Sequence, residues 1–400
     1  MTAEVVFWAA AAMLAYIYLG YPLLVAALAA VAGHPWRREE AAEPPGVSFI
    51  VPAHNEETVI AQKVRNCLGL DYPPSLLEVI VVCDGCTDST ADLARGAGDA
   101  RVRVMEYEPR RGKPHALNAA CAEARGDLLV FTDADVRLDR GALRSLVANF
   151  ADARVGCVSG RTIIETRARD SAQGERAKYA FDRFLRLQQS RLGSLVGADG
   201  GFYAIRRSVF RPLCDDAVAD DLALPIEIAE QGWRVVYEPL ATAIEPAAPS
   251  LSDELRRKAR IVAGAAPIAL RWLHPRRFFR RDGLAFHLLS GKLIKYTAAL
   301  WLAALLGASI ALRGQAFYAG ALAVQLCFHA WALLGAVAPS SLRARLPGAL
   351  WLPTYFWGVN GAALVGLYRA ATRRQSVQWE RPPRVLTCSA AEHESGGQES

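Results

Sequence analysis

Uncharged apolar runs lie at both ends of the chain and frame a middle region of different character. Residues 5–31 carry no charge and are long enough to cross the roughly 30 Å core of a bilayer as one helix. Three similar runs follow the middle region, at 296–312, 314–342 and 348–368. This pattern predicts one membrane-spanning anchor before the middle region and about three membrane-spanning helices after it.

In the middle region, short apolar runs alternate with stretches of helical periodicity. Strands are predicted at 47–51, 77–83, 102–106 and 127–132, and helices at 58–68, 87–97 and 114–124. Strands that are apolar throughout and alternate with helices are typical of a parallel sheet covered on both faces. We therefore expect an α/β domain whose ligand site lies at the carboxyl ends of its strands.

A basic stretch separates this domain from the C-terminal runs. Residues 251–260 are basic with helical periodicity, and residues 261–270 are apolar but too short to cross a bilayer. Both features favour a helix that lies in the membrane interface. The predicted order is an anchor, a linker, the α/β domain, interfacial helices, about three membrane helices and a polar tail, at 1–33, 34–46, 47–250, 251–282, 283–370 and 371–400.

Composition and charge narrow the possible partners. Of 400 residues, 52% are hydrophobic and 22% are charged, which excludes a disordered or fibrous chain. The net charge of +6 is mild and clusters near the apolar runs, so we expect a membrane partner and no nucleic acid. Arg37 and Arg38 follow the first run, which favours a cytoplasmic α/β domain at the cell (inner) membrane. One helix before the domain and three after it would place the tail outside, whereas the arginines beyond 368 favour inside, so the tail's position stays open.

Polar side chains follow the predicted strands where the ligand site is expected. Asp133 and Asp135 come directly after the fourth strand. Two carboxylates two residues apart on an extended segment can share a Mg²⁺ or Mn²⁺ ion whose other positions take phosphate oxygens. No glycine-rich dinucleotide signature or P-loop follows the first strand. The residues favour a metal-and-diphosphate site, although an Asp-x-Asp pair is a weak motif by itself.

The chain resembles the family 2 glycosyltransferases, which are inverting enzymes that use nucleotide-diphosphate sugars on a GT-A fold. The resemblance covers about residues 45–275 and rests on segments that follow the family's order: VPAHNEE (51–57), DGCTD (84–88), RGKPHALN (111–118), TDAD (132–135), GGFYAIR (200–206), DDLAL (220–224) and GWRVVYEP (232–239). The flanking helices are similar to those of membrane-bound poly-N-acetylglucosamine, hyaluronan and cellulose synthases. The resemblance implies an α/β GT-A domain with flanking transmembrane helices.

The resemblance also implies roles for single residues. The nucleoside pocket would be lined by Pro52, Asn55, Glu56 and Asp84. Lys113 would lie near the nucleotide, and Asp133 would contact the ribose or the metal. Asp135 would ligate a divalent Mg²⁺ or Mn²⁺ ion that bridges the two phosphates.

The proposed general base is the last residue of an acidic motif. The family's Thr-Glu-Asp appears here as Ala219-Asp220-Asp221, so the resemblance implies Asp221 as the base and places Asp220 at the substrate. An alternative is that the pair only caps the helix predicted at 222–231. Asp199 would touch the acceptor or would serve as a turn carboxylate.

One family motif departs from the pattern of processive synthases, which carry Gln-x-x-Arg-Trp on an interfacial helix. Arg260 keeps the cation that could meet a diphosphate, but Ile261 stands where the tryptophan would be. The missing aromatic ring puts polymer extension in doubt. A basic membrane-surface helix with no substrate contact is the alternative.

The leading prediction is a membrane-bound, metal-dependent inverting glycosyltransferase of the hexosyltransferase class. It would move a sugar from a nucleotide-sugar donor, expected to be a UDP-sugar, to a lipid-linked or polysaccharide acceptor. One alternative is a processive polysaccharide synthase that extrudes its product. Another, from a different class, is a membrane transporter or scaffold with a nucleotide-binding domain. A nucleotidyltransferase is disfavoured because the first strand lacks the glycine-rich, lysine-containing signature after it.

Overall fold

The structure is a computed structural model. It describes residues 2–165, 172–215, 217–248, 250–273, 283–339 and 348–372, with the side chains of 172–180 excepted. The arginine-rich segment 276–281 and all of the predicted polar tail beyond Thr372 lie outside the described residues.

The centre of the described chain is an eight-stranded sheet in the order β3-β2-β1-β4-β7-β6-β8-β5. Its strands are β1 (Val47–Ala53), β2 (Leu77–Asp84), β3 (Val102–Tyr107), β4 (Leu128–Phe131), β5 (Arg137–Leu138), β6 (Val155–Glu165), β7 (Tyr203–Arg206) and β8 (Arg234–Pro246). All four strands predicted from the sequence are present. The first strand extends past Pro52, because its pairing with β2 continues to Ala53 after its pairing with β4 has stopped at Ile50.

The sheet is mixed, with parallel pairing in its first half and between β6 and β8, which corrects the prediction of a wholly parallel sheet. Strands β1 to β4 pair in parallel, but β7 pairs antiparallel with both β4 and β6, and β5 pairs antiparallel with β8. The prediction rested on the alternation of strands and helices before residue 132, and that alternation does not continue after it. The carboxyl ends of the parallel strands still meet at one edge.

The helices cover both faces of the sheet. In β1, Phe49 and Val51 belong to one apolar core and Ile50 to the other, which explains why the strand is buried along its whole length. Helices of the domain are α2 (Ile60–Leu68), α3 (Thr90–Arg95), α4 (Lys113–Glu123), α5 (Ala142–Val147), α6 (Ala172–Leu192) and α7 (Asp220–Glu230). They follow α1 (Thr2–Ala32), which contains one π-helical turn at Tyr16–Gly20.

Five helices follow the sheet in the described chain: α8 (Leu251–Trp272), α9 (Leu284–Ile294), α10 (Ala298–Ala311), α11 (Ala316–Val337) and α12 (Leu352–Ala371). Among the described residues, α1 and α11 are each long and apolar enough to cross a membrane. Helices α9 and α10 meet that test only together and are bent by 54°. About three C-terminal spans therefore remain a prediction, as do the domain boundaries.

Helix α8 joins the domain to the apolar helices. It begins at Ser250, whose Oγ accepts a hydrogen bond of 3.2 Å from the Asp253 amide. Helix α12 packs along it so closely that a Cβ on Gly366 would lie 2.6 Å from the Ala259 carbonyl oxygen. The basic stretch is thus a helix held between the sheet domain and an apolar helix.

Candidate active site

The end of β2 is joined to the loop that leads into α4. The Asp84 side chain is fully buried, and its two carboxylate oxygens accept hydrogen bonds of 2.7 Å from the amides of Arg111 and Gly112. Gly112 has φ of 98°, a conformation that a residue with a Cβ rarely adopts. The contact of Asp84 with a nucleoside stays a prediction, and the structure shows a second role, which is to fix this loop.

Lys113, directly after this loop, links two of the predicted site segments. Its Nζ lies 3.1 Å from Asp133 Oδ1 and 3.1 Å from Asp220 Oδ1. Burial of the ammonium opposes the charge, but the carboxylates of Asp133, Asp220 and Asp221 outweigh it and raise the pKa of Lys113. Lys113 is therefore a permanent cation at the junction of the β4 end and the α7 start.

Asp133 and Asp135 project from the loop after β4. The Asp133 side chain is 43% exposed, and Asp135 is half-buried. Among the described residues, no group of three or more His, Cys, Asp and Glu side chains is arranged to hold a metal ion by itself. Two carboxylates nevertheless fit Mg²⁺ or Mn²⁺, because such ions are commonly held by one or two carboxylates together with substrate phosphates. The donor set suits a cation that arrives with a diphosphate.

Asp220 and Asp221 form the first turn of α7 but do not cap it through their side chains. The N-cap residue is Ala219, and no side-chain capping bond is made there. Asp220 is buried and accepts a 2.9 Å hydrogen bond from the Tyr203 hydroxyl in addition to its ion pair with Lys113. Asp220 thus anchors the helix start to β7 and α4.

The Asp221 carboxylate differs from that of its neighbour. Within the described part of the chain, no hydrogen bond or ion pair to this carboxylate is recorded. Burial, followed by repulsion from Asp220, raises its pKa to about 6, against the opposing charges of Lys113 and Lys292. A carboxylate with this pKa is ionised at neutral pH and can accept a proton, which suits a general base.

The loop before β7 packs against Asp221. A Cβ on Gly200 would lie 3.1 Å from Asp221 Oδ2, so the backbone approaches the carboxylate closely. Asp199, one residue earlier, accepts a 3.1 Å hydrogen bond from the Thr162 amide and lies 3.8 Å from Arg186 Nη1. Its carboxylate therefore ties the loop to β6, and its contact with an acceptor stays a prediction.

The first strand end contributes a strained residue. Asn55 has φ of 55°, and its Oδ1 accepts a 2.8 Å hydrogen bond from the Thr87 amide. Glu56 is buried, and its amide donates a 2.6 Å hydrogen bond to Thr90 Oγ1. Pro52 is buried within β1. These contacts hold the ends of β1 and β2 together, as the predicted nucleoside pocket requires.

Two further charged residues at the site were not predicted. Glu245 near the end of β8 pairs with Arg257 on α8, and burial raises the Glu245 pKa to about 7 although Arg257 opposes the rise. Burial of the Arg257 guanidinium lowers its pKa, but the charges of Glu245, Glu254 and, to a smaller extent, Asp135 outweigh this and raise the pKa. Arg260, the predicted cation, lies half-buried one turn further along, and its substrate contact stays a prediction. The signal for Arg257 was the run Arg256-Arg257-Lys258, which was used only to predict a basic interfacial helix.

Lys113 follows the loop that Asp84 holds and pairs with both Asp133 and Asp220. It therefore joins that loop, the loop after β4 and the start of α7 in one cluster. The charge of Lys292, which lies on α9 among the C-terminal helices, also acts on Asp221. Helix α9 therefore lies within electrostatic range of Asp221.

Comparison with known proteins identifies a family for this chain. A family model described as glycosyltransferase like family 2 matches residues 44–264. The chain is 29% identical over 260 residues to a probable glycosyltransferase, YdaM, of Bacillus subtilis (strain 168), with 59% of each chain covered. It is 25% identical over 232 residues to the poly-beta-1,6-N-acetyl-D-glucosamine synthase of Staphylococcus aureus, with 56% of each covered. The chain therefore matches less than two thirds of the length of these relatives.

A solved structure matches over nearly the whole chain. The mannosyltransferase PcManGT from Pyrobaculum calidifontis, in complex with GDP-Man and Mn²⁺, superposes with a TM-score of 0.70 at 26% identity. The match covers 93% of the present chain and 99% of that chain. The predicted α/β fold of the GT-A type with flanking helices is thereby confirmed.

Proposed function

The chain belongs to the glycosyltransferase-like family 2, and from this premise we propose that it is a membrane-bound, metal-dependent inverting transferase. It moves a sugar from a nucleotide-diphosphate sugar to a lipid-linked or glycan acceptor. The observation that carries the proposal is the Lys113 bridge, which unites Asp133 with Asp220 beside the carboxylate of Asp221. The catalytic domain lies on the cytoplasmic side of the membrane.

The donor is bound across the ends of β1, β2 and β4. The nucleoside lies against Asn55 and the loop that Asp84 fixes, and Lys113 faces the diphosphate. Asp133 and Asp135 would hold a Mg²⁺ or Mn²⁺ ion, which when bound would supply positive charge to the departing diphosphate. The Mn²⁺ in the complex of the mannosyltransferase PcManGT supports this choice of ion.

Transfer needs one base and one stabilised leaving group. The Asp221 carboxylate accepts the proton of the acceptor hydroxyl while that oxygen forms a bond to the anomeric carbon. The bond between this carbon and the phosphate oxygen breaks, and the nucleoside diphosphate leaves with the electron pair. Attack from the face opposite the leaving group inverts the configuration, so no second nucleophilic carboxylate is needed.

The acceptor approaches from the side of α8 and α9. Lys292 of α9 contributes to the charge around Asp221, so the base adjoins an apolar helix pair. An acceptor carried by a lipid would reach Asp221 without leaving the membrane surface. Processive synthesis remains the alternative for the number of sugars added, with Ile261 in place of the tryptophan of processive synthases arguing against it.

A donor screen with product sizing tests the proposal. The purified full-length protein is incubated with UDP-sugars and GDP-sugars, Mn²⁺ or Mg²⁺, and a membrane lipid extract, and nucleoside diphosphate release is measured. Release from one donor class with a single discrete product supports single transfer, and a ladder supports the processive alternative. A transporter or scaffold would release no nucleotide. We expect a UDP-sugar, and preference for a GDP-sugar would overturn that part only.

A further inference from the structure

A lysine occupies a core position of α2. The buried residues of this helix are Ile60, Lys63, Val64 and Cys67, which is the spacing of an apolar helix face. The Lys63 side chain is only 2% exposed. Burial of a charge is costly unless it is paired, so a lysine here calls for a specific role.

The Lys63 ammonium holds both ends of the loop that carries Asp133 and Asp135. Its Nζ donates a hydrogen bond of 2.7 Å to Thr132 Oγ1 and one of 2.6 Å to the carbonyl oxygen of Val136. Thr132 precedes the first aspartate and Val136 follows the second. The loop is closed further by a 3.3 Å bond from the Val136 amide to the Asp133 carbonyl.

Both groups that accept hydrogen bonds from Lys63 are uncharged, so neither of them neutralises the charge of the ammonium. Burial lowers the Lys63 pKa, and the nearby Cys67, Asp133 and Asp135 oppose this. The ammonium is thus within electrostatic range of both carboxylates, while the ion pair of Asp133 is made by Lys113. Two carboxylates on one short loop repel each other, and a cation below them offsets that repulsion.

We propose that Lys63 is a positioning residue that sets the spacing of the Asp133 and Asp135 carboxylates for a divalent cation by fastening both ends of their loop. This inference rests on the proposed function, because it takes the loop as the metal site. Lys63 touches neither substrate nor metal.

Two effects of removing Lys63 oppose each other, and they give the test its direction. Electrostatics alone predicts that loss of a nearby cation tightens the binding of Mn²⁺. The positioning role predicts weaker binding, because the carboxylates lose their fixed spacing. Loss of a residue that orients metal ligands typically costs about 10–100-fold in metal affinity, and we expect Lys63→Met to fall in this range.

The experiment measures Mn²⁺ binding to the purified full-length protein by the electron paramagnetic resonance signal of free Mn²⁺, alone and with excess UDP or GDP. The matched control is Asn66→Ala. Asn66 lies one turn further along α2 and holds Leu138 through two hydrogen bonds of 2.8 and 2.9 Å, next to the metal loop but outside it. Its removal should lower Tm and leave Mn²⁺ affinity unchanged. Thr132→Val removes one acceptor of Lys63 and should weaken Mn²⁺ binding less than Lys63→Met does.

A kinetic readout separates positioning from general damage. In Lys63→Met the transfer rate should return close to that of the wild type at saturating Mn²⁺, with the loss confined to the Mn²⁺ concentration required. Mn²⁺ affinity in Lys63→Met equal to or tighter than wild type would overturn the inference, as would a rate that excess Mn²⁺ does not restore. If Lys63→Met does not fold, unchanged affinity in Thr132→Val overturns it. Failure of the wild type to bind Mn²⁺ with either nucleotide would overturn the proposed metal site as well.

Discussion

Replacement of Asp221 by asparagine should remove activity while making the protein more stable. The carboxylate has no recorded partner among the described residues, and burial beside Asp220 raises its pKa from 3.8 to about 6. A rise of about 2 pKa units corresponds to at most about 3 kcal/mol of unfavourable free energy for the ionised form. Because the Asp221 pKa in the folded state exceeds its ordinary value, the wild-type protein does not bear this cost below about pH 4, where the carboxyl is protonated. It loses the corresponding stability as pH rises through about 6.

The favourable effect of a negative charge at the start of α7 works against this gain. A carboxylate in the first turn of a helix contributes about 0.3–1 kcal/mol through the helix dipole, which is smaller than the cost of the buried charge. We therefore expect a net gain of about 1–2 kcal/mol at neutral pH, or an increase in Tm of about 2–8 °C. Loss of the general base should lower the transfer rate by about 10²–10⁴-fold.

The assay pairs nucleoside diphosphate release with Tm of the detergent-purified protein, and Asp220→Asn is the control. The Asp220 carboxylate is bonded to Lys113 and to the Tyr203 hydroxyl, so its replacement should lower Tm. Opposite changes in Tm for the two neighbouring substitutions are the signature of the assignment. Asp221→Asn with wild-type transfer, or with a Tm as low as that of Asp220→Asn, would refute the reasoning.

Four further outcomes follow from the same contacts. With a base of pKa about 6 at Asp221, the transfer rate should fall about tenfold per pH unit below about pH 6, and a profile that stays flat there would contradict the role. Lys113→Met should raise the donor KM and lower Tm, because it leaves two carboxylates without their cation; an unchanged KM would remove Lys113 from the donor site. Asp84→Asn should cost about 1–3 kcal/mol, seen as a lower Tm, since its amide nitrogen cannot accept the second backbone bond; an unchanged Tm would show that the two bonds do not hold the loop. Glu245→Gln should gain Tm relative to the wild type as pH rises from about 5 to about 8, because the raised Glu245 pKa makes its ionisation unfavourable in the folded protein, and a Tm difference independent of pH would argue against that raised pKa.

The parallel half of the sheet and its strand ends were predictable because their signals are local. Each of the first four strands is an apolar run followed by polar residues, and the alternation with helices fixes their direction. The antiparallel pairing of β7 was missed because this strand is only four residues long, Tyr203–Arg206, and its pairing with β4 depends on contacts between residues more than 70 positions apart.

The predicted motifs supply the carboxylates of the site but not the side chains that position them. Asp220 and Asp221 are adjacent in the sequence and have the same chemistry, yet only tertiary packing gives the first two partners and leaves the second, among the described residues, without a recorded one. The pairing of Glu245 with Arg257 depends on where α8 packs. The unusual position of Lys63 is visible in the sequence, because a lysine on the apolar face of a helix departs from the expected pattern of hydrophobic residues.

The most direct test of the account compares nucleoside diphosphate release by the wild type and by Asp135→Ala, with Mn²⁺, a nucleotide-sugar panel and a membrane lipid extract. The account predicts release that depends on both Mn²⁺ and the extract in the wild type, and none in a variant that still folds and inserts into membranes. Equal release by Asp135→Ala, or no release by the wild type from any donor, would contradict it.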